Sequence, residues 1–308
     1  MEKVVIALDA MGGDYAPEQT VKGAVEAVNS SDEIRVILVG KQDMIAKELE
    51  KYEYAKEDIE VVHASEIIDM GDVPTVAIKD KKDSSLVVAM RLVREGKADA
   101  LVSAGSTGAV LVGGQLVVGR LKGIKRPPLA PFIPTTKGFS LLIDCGANVD
   151  ARPEHLGAGT EEEKGNQLVK DTKPLMKECK NINYIGSVEA RELVSGAADV
   201  IVCEAFVGNV VLKFFEGLAL TLFGSLKEGL MSSTRTKLGA LLVKPALKGL
   251  KNQFDTSSQG GAPLLGLKGL VVKAHGNSSS KEIEIALKQC ISFKKQKINE
   301  KIKESICD

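Results

Sequence analysis

Five short loops rich in glycine, serine, threonine and asparagine are the parts of this sequence best suited to chemistry. The loops span residues 9–14, 103–108, 144–148, 206–209 and 274–277. Most of them follow a short apolar run typical of a buried strand, and the backbone N–H groups exposed at such turns bind anions. Together the loops predict one crevice that holds an anion such as phosphate. None matches GxxxxGK[ST], and no GxGxxG follows the first strand, so a nucleotide-binding fold is disfavoured.

The histidines, serines and cysteines limit the kinds of reaction mechanism that the sequence supports. The histidines His63, His155 and His275 lie far apart and show no metal-ligand spacing, and no GxSxG nucleophile motif is present. The five cysteines form no CxxC pair, which disfavours a zinc site or a disulfide framework and indicates reduced thiols. Covalent catalysis by serine or cysteine, and a bound metal, therefore have no support in the sequence.

Lys164 has the most unusual setting of any cation in the chain. It follows three glutamates at 161–163 and precedes Gly165 and Asn166. One interpretation is a helix N-terminus in which the acids favour the helix dipole and Lys164 is solvated. The other is a cation that meets the bound anion, and the residues alone leave both open.

The elements that must position these loops follow from the order of apolar segments. The 308 residues suit two lobes, with 44% hydrophobic and 27% charged residues, and 41 basic residues balance 41 acidic ones. That balance argues against a nucleic-acid partner. Short apolar runs alternate with amphipathic segments, and they predict strands at 4–8, 34–39, 59–63, 100–103 and 270–274 and a helix at 84–95. This alternation predicts an α/β fold with a doubly wound, mostly parallel sheet and helices on both faces. We predict one catalytic unit over residues 1–308, made of two lobes with the crevice between them.

The second half of the chain changes character. We expect strands at 182–186 and 200–203 and one long helix at 207–230. The apolar segment 238–250 is interrupted by Pro245, which predicts two short helices with a bend. The apolar spacing over 281–306 predicts one C-terminal helix within 281–308. No run reaches eighteen uninterrupted apolar residues, so we expect a soluble, cytoplasmic chain that can still lie on a membrane.

At these same loops the chain resembles the phosphate acyltransferases of the PlsX family. The matching segments are ALDAMGGD at 7–14, KDSS at 82–85, SAGSTGA at 103–109, DCGANVD at 144–150, EKGN at 163–166, FVGNV at 206–210 and KAHG at 273–276. They run in family order over nearly the whole chain, so the resemblance is specific.

The resemblance implies a reaction in which acyl-[acyl carrier protein] and inorganic phosphate give acyl phosphate and free carrier protein. It implies a step in phospholipid synthesis before a membrane-bound acyl-phosphate glycerol-3-phosphate acyltransferase, with no cofactor. It also implies an isocitrate/isopropylmalate dehydrogenase-like fold, a homodimer and peripheral attachment to the cytoplasmic membrane. Phosphate is then the nucleophile, and the protein must orient it and stabilise the oxyanion that forms.

The resemblance also assigns the site residues. Lys164 anchors phosphate or the oxyanion, and Asn209 donates a hydrogen bond at the reacting centre. The substrate and phosphate crevice is lined by Asp9, Gly12, Gly13, Ser103, Gly105, Thr107, Asn148 and His275. The alternative for His275 is a loop histidine with its hydrogen bonds satisfied, and the alternative for Asp9 is a brace for the first glycine turn.

One departure from the family lies beside Lys164. The chain passes directly from Leu156 to Gly157, where family members carry about a helix and a strand more. Either this protein has lost that unit or the sequence omits residues that the protein contains. The close match on both flanks favours omission.

Residues 232–252 predict a projecting helical tip that meets a lipid surface or acidic carrier protein through basic and apolar side chains. These are Arg235, Lys237, Leu238, Leu241, Leu242, Lys244, Leu247 and Lys248. The alternative is a hairpin buried in the dimer interface. Three other functions compete with the main one: an acyltransferase that uses coenzyme A, a dehydrogenase of the same fold class, and a non-catalytic membrane scaffold.

Overall fold

The computed structural model describes residues 3–148, 167–254 and 259–306. The strands are β1 (Val4–Asp9), β2 (Ile34–Gly40), β3 (Ile59–His63), β4 (Ala100–Ser103), β5 (Phe132–Thr135), β6 (Gly138–Ile143), β7 (Val200–Val202), β8 (Ala262–Pro263) and β9 (Leu270–Lys273). The helices are α1 (Glu18–Asn29), α2 (Gln42–Leu49), α3 (Pro74–Asp80), α4 (Ser85–Arg94), α5 (Thr107–Gly113), α6 (Gln167–Glu178), α7 (Ala205–Leu230), α8 (Thr234–Gln253), α9 (Ser280–Lys295) and α10 (Ile298–Ile306). The chain forms two compact units, one of Met1–Leu129 with Gln259–Asp308 and one of Ala130–Ser258.

The first unit is built on a six-stranded sheet in the order β3-β2-β1-β4-β9-β8. The first five strands in this order pair in parallel, and β8 pairs antiparallel with β9. Strands β1 and β4 are apolar runs buried along most of their length, as strands covered on both faces must be. The predicted α/β class with a mostly parallel sheet is confirmed.

The helices of this unit cover both faces of the sheet. The chain runs from β1 to β3 in one direction through α1 and α2, then returns to place β4 on the other side of β1. Right-handed crossovers therefore put α4 on the face opposite to α1. α1 packs closely on α9, where a Cβ at Gly23 would lie 2.7 Å from the Ile283 side chain.

Two details of the first unit were only partly predicted. The helix expected at 84–95 is α4, and the Ser84 hydroxyl caps it by accepting from the Val87 N–H. The single C-terminal helix predicted over 281–306 is wrong, because α9 ends at Lys295 and α10 begins at Ile298. Lys297 between them has φ of 53°, a left-handed conformation that ends an α-helix.

The second unit has a smaller three-stranded sheet in the order β5-β6-β7. β5 and β6 form an antiparallel pair, and β7 adds to β6 in parallel. The strand predicted at 200–203 is β7, whereas the strand predicted at 182–186 is wrong. Ile182 and Ile185 are 43% and 57% exposed, and β6 already has β5 and β7 on its two edges. Their apolar side chains therefore gain no burial that would favour a strand.

The predicted helical projection is a hairpin of α7 and α8 joined by a short turn. The division into two short helices predicted at Pro245 is wrong, because α8 continues through it from Thr234 to Gln253. Proline removes one backbone hydrogen bond, and the helix-favouring residues around it keep the remaining turns. None of the side chains of α8 is buried. By length and composition alone α7 could cross a membrane, and only 11% of its most apolar window is buried.

Candidate functional site

The first unit has a topological switch point between β1 and β4, since the chain leaves β1 in one direction along the sheet and returns on its other side. In sheets of this kind ligands bind at the carboxyl ends of the two strands beside that point. The loops at 10–17 and 104–106 follow those ends. Asp9 ends β1 and Ser103 ends β4, so the structure places two predicted site residues at the expected position.

Glycine lets the loops of the first unit approach each other closely. A Cβ at Gly12 would lie 2.4 Å from Asp9 Oδ2 and 2.8 Å from the Gly105 nitrogen, so no larger residue fits there. Gly13 has φ of 109°, and a Cβ there would lie 2.9 Å from the Gly276 carbonyl oxygen. The Asp14 N–H donates to the same carbonyl at 2.7 Å. The loops after β1, β4 and β9 therefore meet at one place.

Thr107 and His275 belong to the same group of loops. Thr107 is the first residue of α5, whose preceding residue Ser106 caps the helix by accepting from the Ala109 N–H at 3.4 Å. His275 directly precedes Gly276, and its carbonyl accepts from the Ser278 N–H at 3.2 Å. Both side chains are half-buried. The N-terminus of α5 adds N–H groups that favour an anion nearby.

Asp9 is buried, and that burial raises its pKa above the ordinary value for a carboxyl. The hydroxyls of Ser85 and Ser103, the Met11 N–H and the charge of Lys273 act in the opposite direction. Ser103 Oγ donates to Asp9 Oδ2 at 2.7 Å and accepts from the Gly105 N–H at 3.1 Å. Asp9 therefore lies beneath the glycine loops and fixes the orientation of Ser103.

The second unit holds its own part of the predicted site. Asp144 is buried after β6 and accepts from the Ala147 N–H at 3.1 Å and from Asn148 Nδ2 at 2.6 Å. Gly146 has φ of 98°, and a Cβ there would lie 3.7 Å from the Asn209 side-chain amide. The structure thus brings Asn209 against the loop that Asp144 organises.

The first turn of α7 positions Asn209. The Glu204 carboxylate caps the helix by accepting from the Phe206 and Val207 N–H groups at 2.9 and 2.6 Å. Gly208 packs directly on the Asp144 carbonyl oxygen, to which a Cβ would come within 1.9 Å. Asn209 itself is exposed on the next position, where its amide can donate to a ligand.

Two thiols lie near this loop. Burial raises the pKa of the Cys145 thiol well above its ordinary value and that of Cys203 to about 12. Cys203 Sγ donates to the Asp144 carbonyl at 3.6 Å. Neither thiol is then ionised near neutral pH, and the thiolate is the nucleophilic form.

The predicted site residues not yet placed are Lys164 and the residues of the helical tip. Lys164 lies outside the described residues, which resume at Gln167 in α6. The residues predicted for the tip all lie on the continuous helix α8. No group of three or more His, Cys, Asp or Glu side chains that could hold a metal ion occurs within 3–148, 167–254 and 259–306.

Sequence reasoning missed three residues that shape the site. Asp144 and Gly208 lie inside the quoted motifs but were given no role, and Lys273 was treated only as part of KAHG. Their functions depend on contacts between loops distant in sequence. Gly208 could have been found from the sequence, because a glycine that follows a helix cap within a motif indicates a close contact.

Comparisons with known proteins agree with this architecture. The sequence profile of a family described as "Fatty acid synthesis protein" matches residues 4–158 and 152–301. A protein of Alkaliphilus oremlandii named "Phosphate acyltransferase" is 50% identical, with 98% of this chain and 97% of that protein covered. A protein of the same name from Clostridium acetobutylicum is 45% identical, with 97% and 98% covered. The first alignment spans 326 positions and this chain has 308 residues, so that relative has residues without a counterpart here.

Solved structures show the same fold at low identity. A phosphotransacetylase from Streptococcus pyogenes is 16% identical, with a TM-score of 0.61 and 94% of each chain covered. The EutD phosphotransacetylase from Staphylococcus aureus is 15% identical, with a TM-score of 0.58 and again 94% of each chain covered. With the matches over nearly its whole length, this chain belongs to the fatty acid synthesis protein family and is an acyltransferase.

Proposed function

We propose that this enzyme transfers a fatty acyl group from acyl-[acyl carrier protein] to inorganic phosphate, in a step that leads to phospholipid. A phosphate oxygen bonds to the thioester carbon, the carbonyl electrons move onto oxygen, and the carbon–sulfur bond then breaks to release the carrier thiol after protonation. The products are acyl phosphate and free carrier protein. The name shared by the relatives supports phosphate as the acceptor.

The observation that carries the direct mechanism is the state of the two thiols beside the Asn209 loop. Burial keeps Cys145 and Cys203 protonated, with the pKa of Cys203 raised to about 12. Neither thiol is prepared to accept the acyl group, which supports direct attack of phosphate on the thioester. In this proposal Asn209 donates to the developing oxyanion, and Lys164 holds phosphate.

A rate assay tests both parts of this proposal. Acyl phosphate formation is measured with acyl carrier protein or coenzyme A as donor, with and without orthophosphate. We expect turnover with the carrier-protein thioester that requires phosphate, and about a 100-fold lower kcat in Asn209→Ala, the loss typical of one oxyanion donor. Thr221→Ala, an exposed polar residue of the same helix whose hydroxyl bonds to the Gly217 carbonyl of that helix, is the control. Turnover that continues without phosphate, or an acyl group trapped covalently on the folded enzyme, overturns the direct mechanism. Activity with coenzyme A alone overturns the choice of donor.

The projecting hairpin supports two further parts of the proposal. α7 exposes several large apolar side chains, namely Phe206, Val207, Val210, Phe214, Leu218, Leu220, Leu222 and Leu226. We propose that a second copy of the chain covers this surface in a homodimer. Leu241 and Leu242 of α8 are 67% and 85% exposed, beside lysines at 237, 244 and 248. Apolar tips flanked by cations suit an anionic lipid surface, which supports peripheral contact with the cytoplasmic membrane.

A further inference from the structure

Three apolar side chains are exposed on the segment that leads into α3 and forms its first turn. Met70, Val73 and Val76 are 56%, 61% and 54% exposed. Val76 follows Val73 by three residues, the spacing that makes side chains neighbours on a helix. Single exposed apolar residues are common on proteins, but three within one short segment form a patch, which we call the 70–76 patch.

The patch borders the loops of the first unit that belong to the candidate site. Met70 lies against the loop after β9, since a Cβ at Gly276 would be 3.1 Å from Met70 Cε. The same Cβ would be 3.6 Å from Asp14 Oδ2, in the loop after β1. Pro74 lies against the first turn of α5, where a Cβ at Gly108 would be 2.6 Å from Pro74 Cγ. The patch is therefore continuous with the candidate site.

Polar contacts hold the turn that carries Met70. Lys81 Nζ lies 2.5 Å from Asp72 Oδ2 and 3.7 Å from Asp69 Oδ2. It also donates to the Ile67 carbonyl at 2.8 Å. The Asp69 N–H donates to the Asp72 carboxylate at 2.9 Å. A turn fixed in this way holds an apolar surface in place before a ligand binds, which lowers the cost of binding.

Val73 does not suit the helix position that it occupies. It is the N-cap residue of α3, and its side chain makes no capping hydrogen bond. Valine is among the poorest N-cap residues, whereas serine or threonine would satisfy a free N–H of the first turn. Departures of this kind from local preference are expected at functional sites. The position of Val73 thus favours a ligand that covers it over a role in the helix itself.

The proposed reaction brings an apolar group to this place. A phosphate oxygen must come within about 3–3.5 Å of the thioester carbon, so the acyl chain begins within a few ångströms of the phosphate loops. Each methylene of that chain removed from water strengthens binding about fourfold. The thiol arm of a carrier contains amide groups, which need hydrogen-bond partners when they are buried. Three apolar side chains therefore suit the acyl chain better than the arm.

We propose that the 70–76 patch binds the fatty acyl chain where it leaves the phosphate loops, so that the enzyme favours long chains over short ones. Met70 contacts the chain nearest the thioester, and Val73 and Val76 contact it further out. The inference rests on the proposed function, which supplies the fatty thioester and places phosphate at these loops.

The test compares kcat/KM for palmitoyl and acetyl thioesters of the carrier protein in Val73→Ser/Val76→Ser. We expect about a 15-fold loss with palmitoyl, from about one methylene of contact at each position, and less than about a twofold loss with acetyl. The midpoint of thermal unfolding should not fall, because serine at position 73 can cap α3. Leu116→Ser is the control, since this exposed leucine lies about 13 Å along the helix from Thr107. It should keep both rates.

The outcomes separate this inference from the proposed function. Equal losses with the two thioesters, or no loss with palmitoyl in the folded variant, overturn the acyl-chain role. If the double variant does not fold, Met70→Gln decides by the same comparison of palmitoyl with acetyl. Turnover of the unmodified enzyme without orthophosphate overturns the proposed function instead, and that assay does not involve the variants.

Discussion

Gly208→Ala should separate helix propensity from the close contact that places Asn209. In an exposed helix the change from glycine to alanine stabilises by about 1 kcal/mol. At Gly208, however, the added Cβ would lie 1.9 Å from the Asp144 carbonyl oxygen and 2.9 Å from Cys203 Sγ. Ordinary contact lies near 3.5 Å, so the start of α7 or the Asp144 loop must move by about 1.5 Å. Overpacking of this kind costs about 1–3 kcal/mol, which exceeds the gain in propensity.

The same displacement should reduce activity more than stability. Asn209 is the next residue of α7, and a shift of about 1 Å at a reacting group costs about 100-fold in rate. We therefore expect a folded Gly208→Ala enzyme with a lower denaturant midpoint and about a 100-fold lower rate of acyl phosphate formation. The matched control is Gly217→Ala in the same helix, where nothing lies within 4 Å of the added Cβ. The control should keep its rate and gain up to about 1 kcal/mol of stability. A Gly208→Ala enzyme indistinguishable from this control would refute the contact.

Two further predictions concern the thiols and the tip. In the folded protein at pH 8, iodoacetamide should modify exposed Cys179 and leave Cys145, Cys203 and Cys290 unmodified until the protein is denatured, because burial raises the pKa of all three; rapid loss of activity by modification of Cys203 in the folded protein would contradict this. Leu242→Asp should reduce co-flotation with anionic phospholipid vesicles, whereas Leu116→Asp, a leucine 69% exposed in the first unit, should not. Equal flotation of the two variants would argue against a lipid-facing tip.

The larger sheet was predictable because its strands are short runs of buried apolar residues between glycine loops. That pattern identified β1, β2, β3, β4 and β9. It failed at 182–186, where a similar run is exposed, because composition does not reveal whether a strand edge is open. It also failed at Lys297, since a left-handed residue other than glycine leaves little trace in sequence.

In the helical tip, the sequence predicted an interruption that the structure does not have. Pro245 predicted a break by a strong local rule, yet α8 continues through it. The rule describes the loss of one hydrogen bond and a local clash, and neighbouring residues with high helix propensity can absorb both. A local rule of this size is decisive only where the flanking turns are themselves marginal.

The motifs located the loops of the candidate site, but they did not show which side chains lie next to each other in the folded protein. From the sequence alone, Asp9 could be a ligand for the substrate or a brace for the glycine turn that follows it. Its burial beside Ser103 and Lys273 supports the second role, and three residues separated by up to 264 positions become neighbours only when β1, β4 and β9 are placed side by side. The polar residues beneath these loops are thus set by strand order, which alternation of apolar runs leaves undetermined.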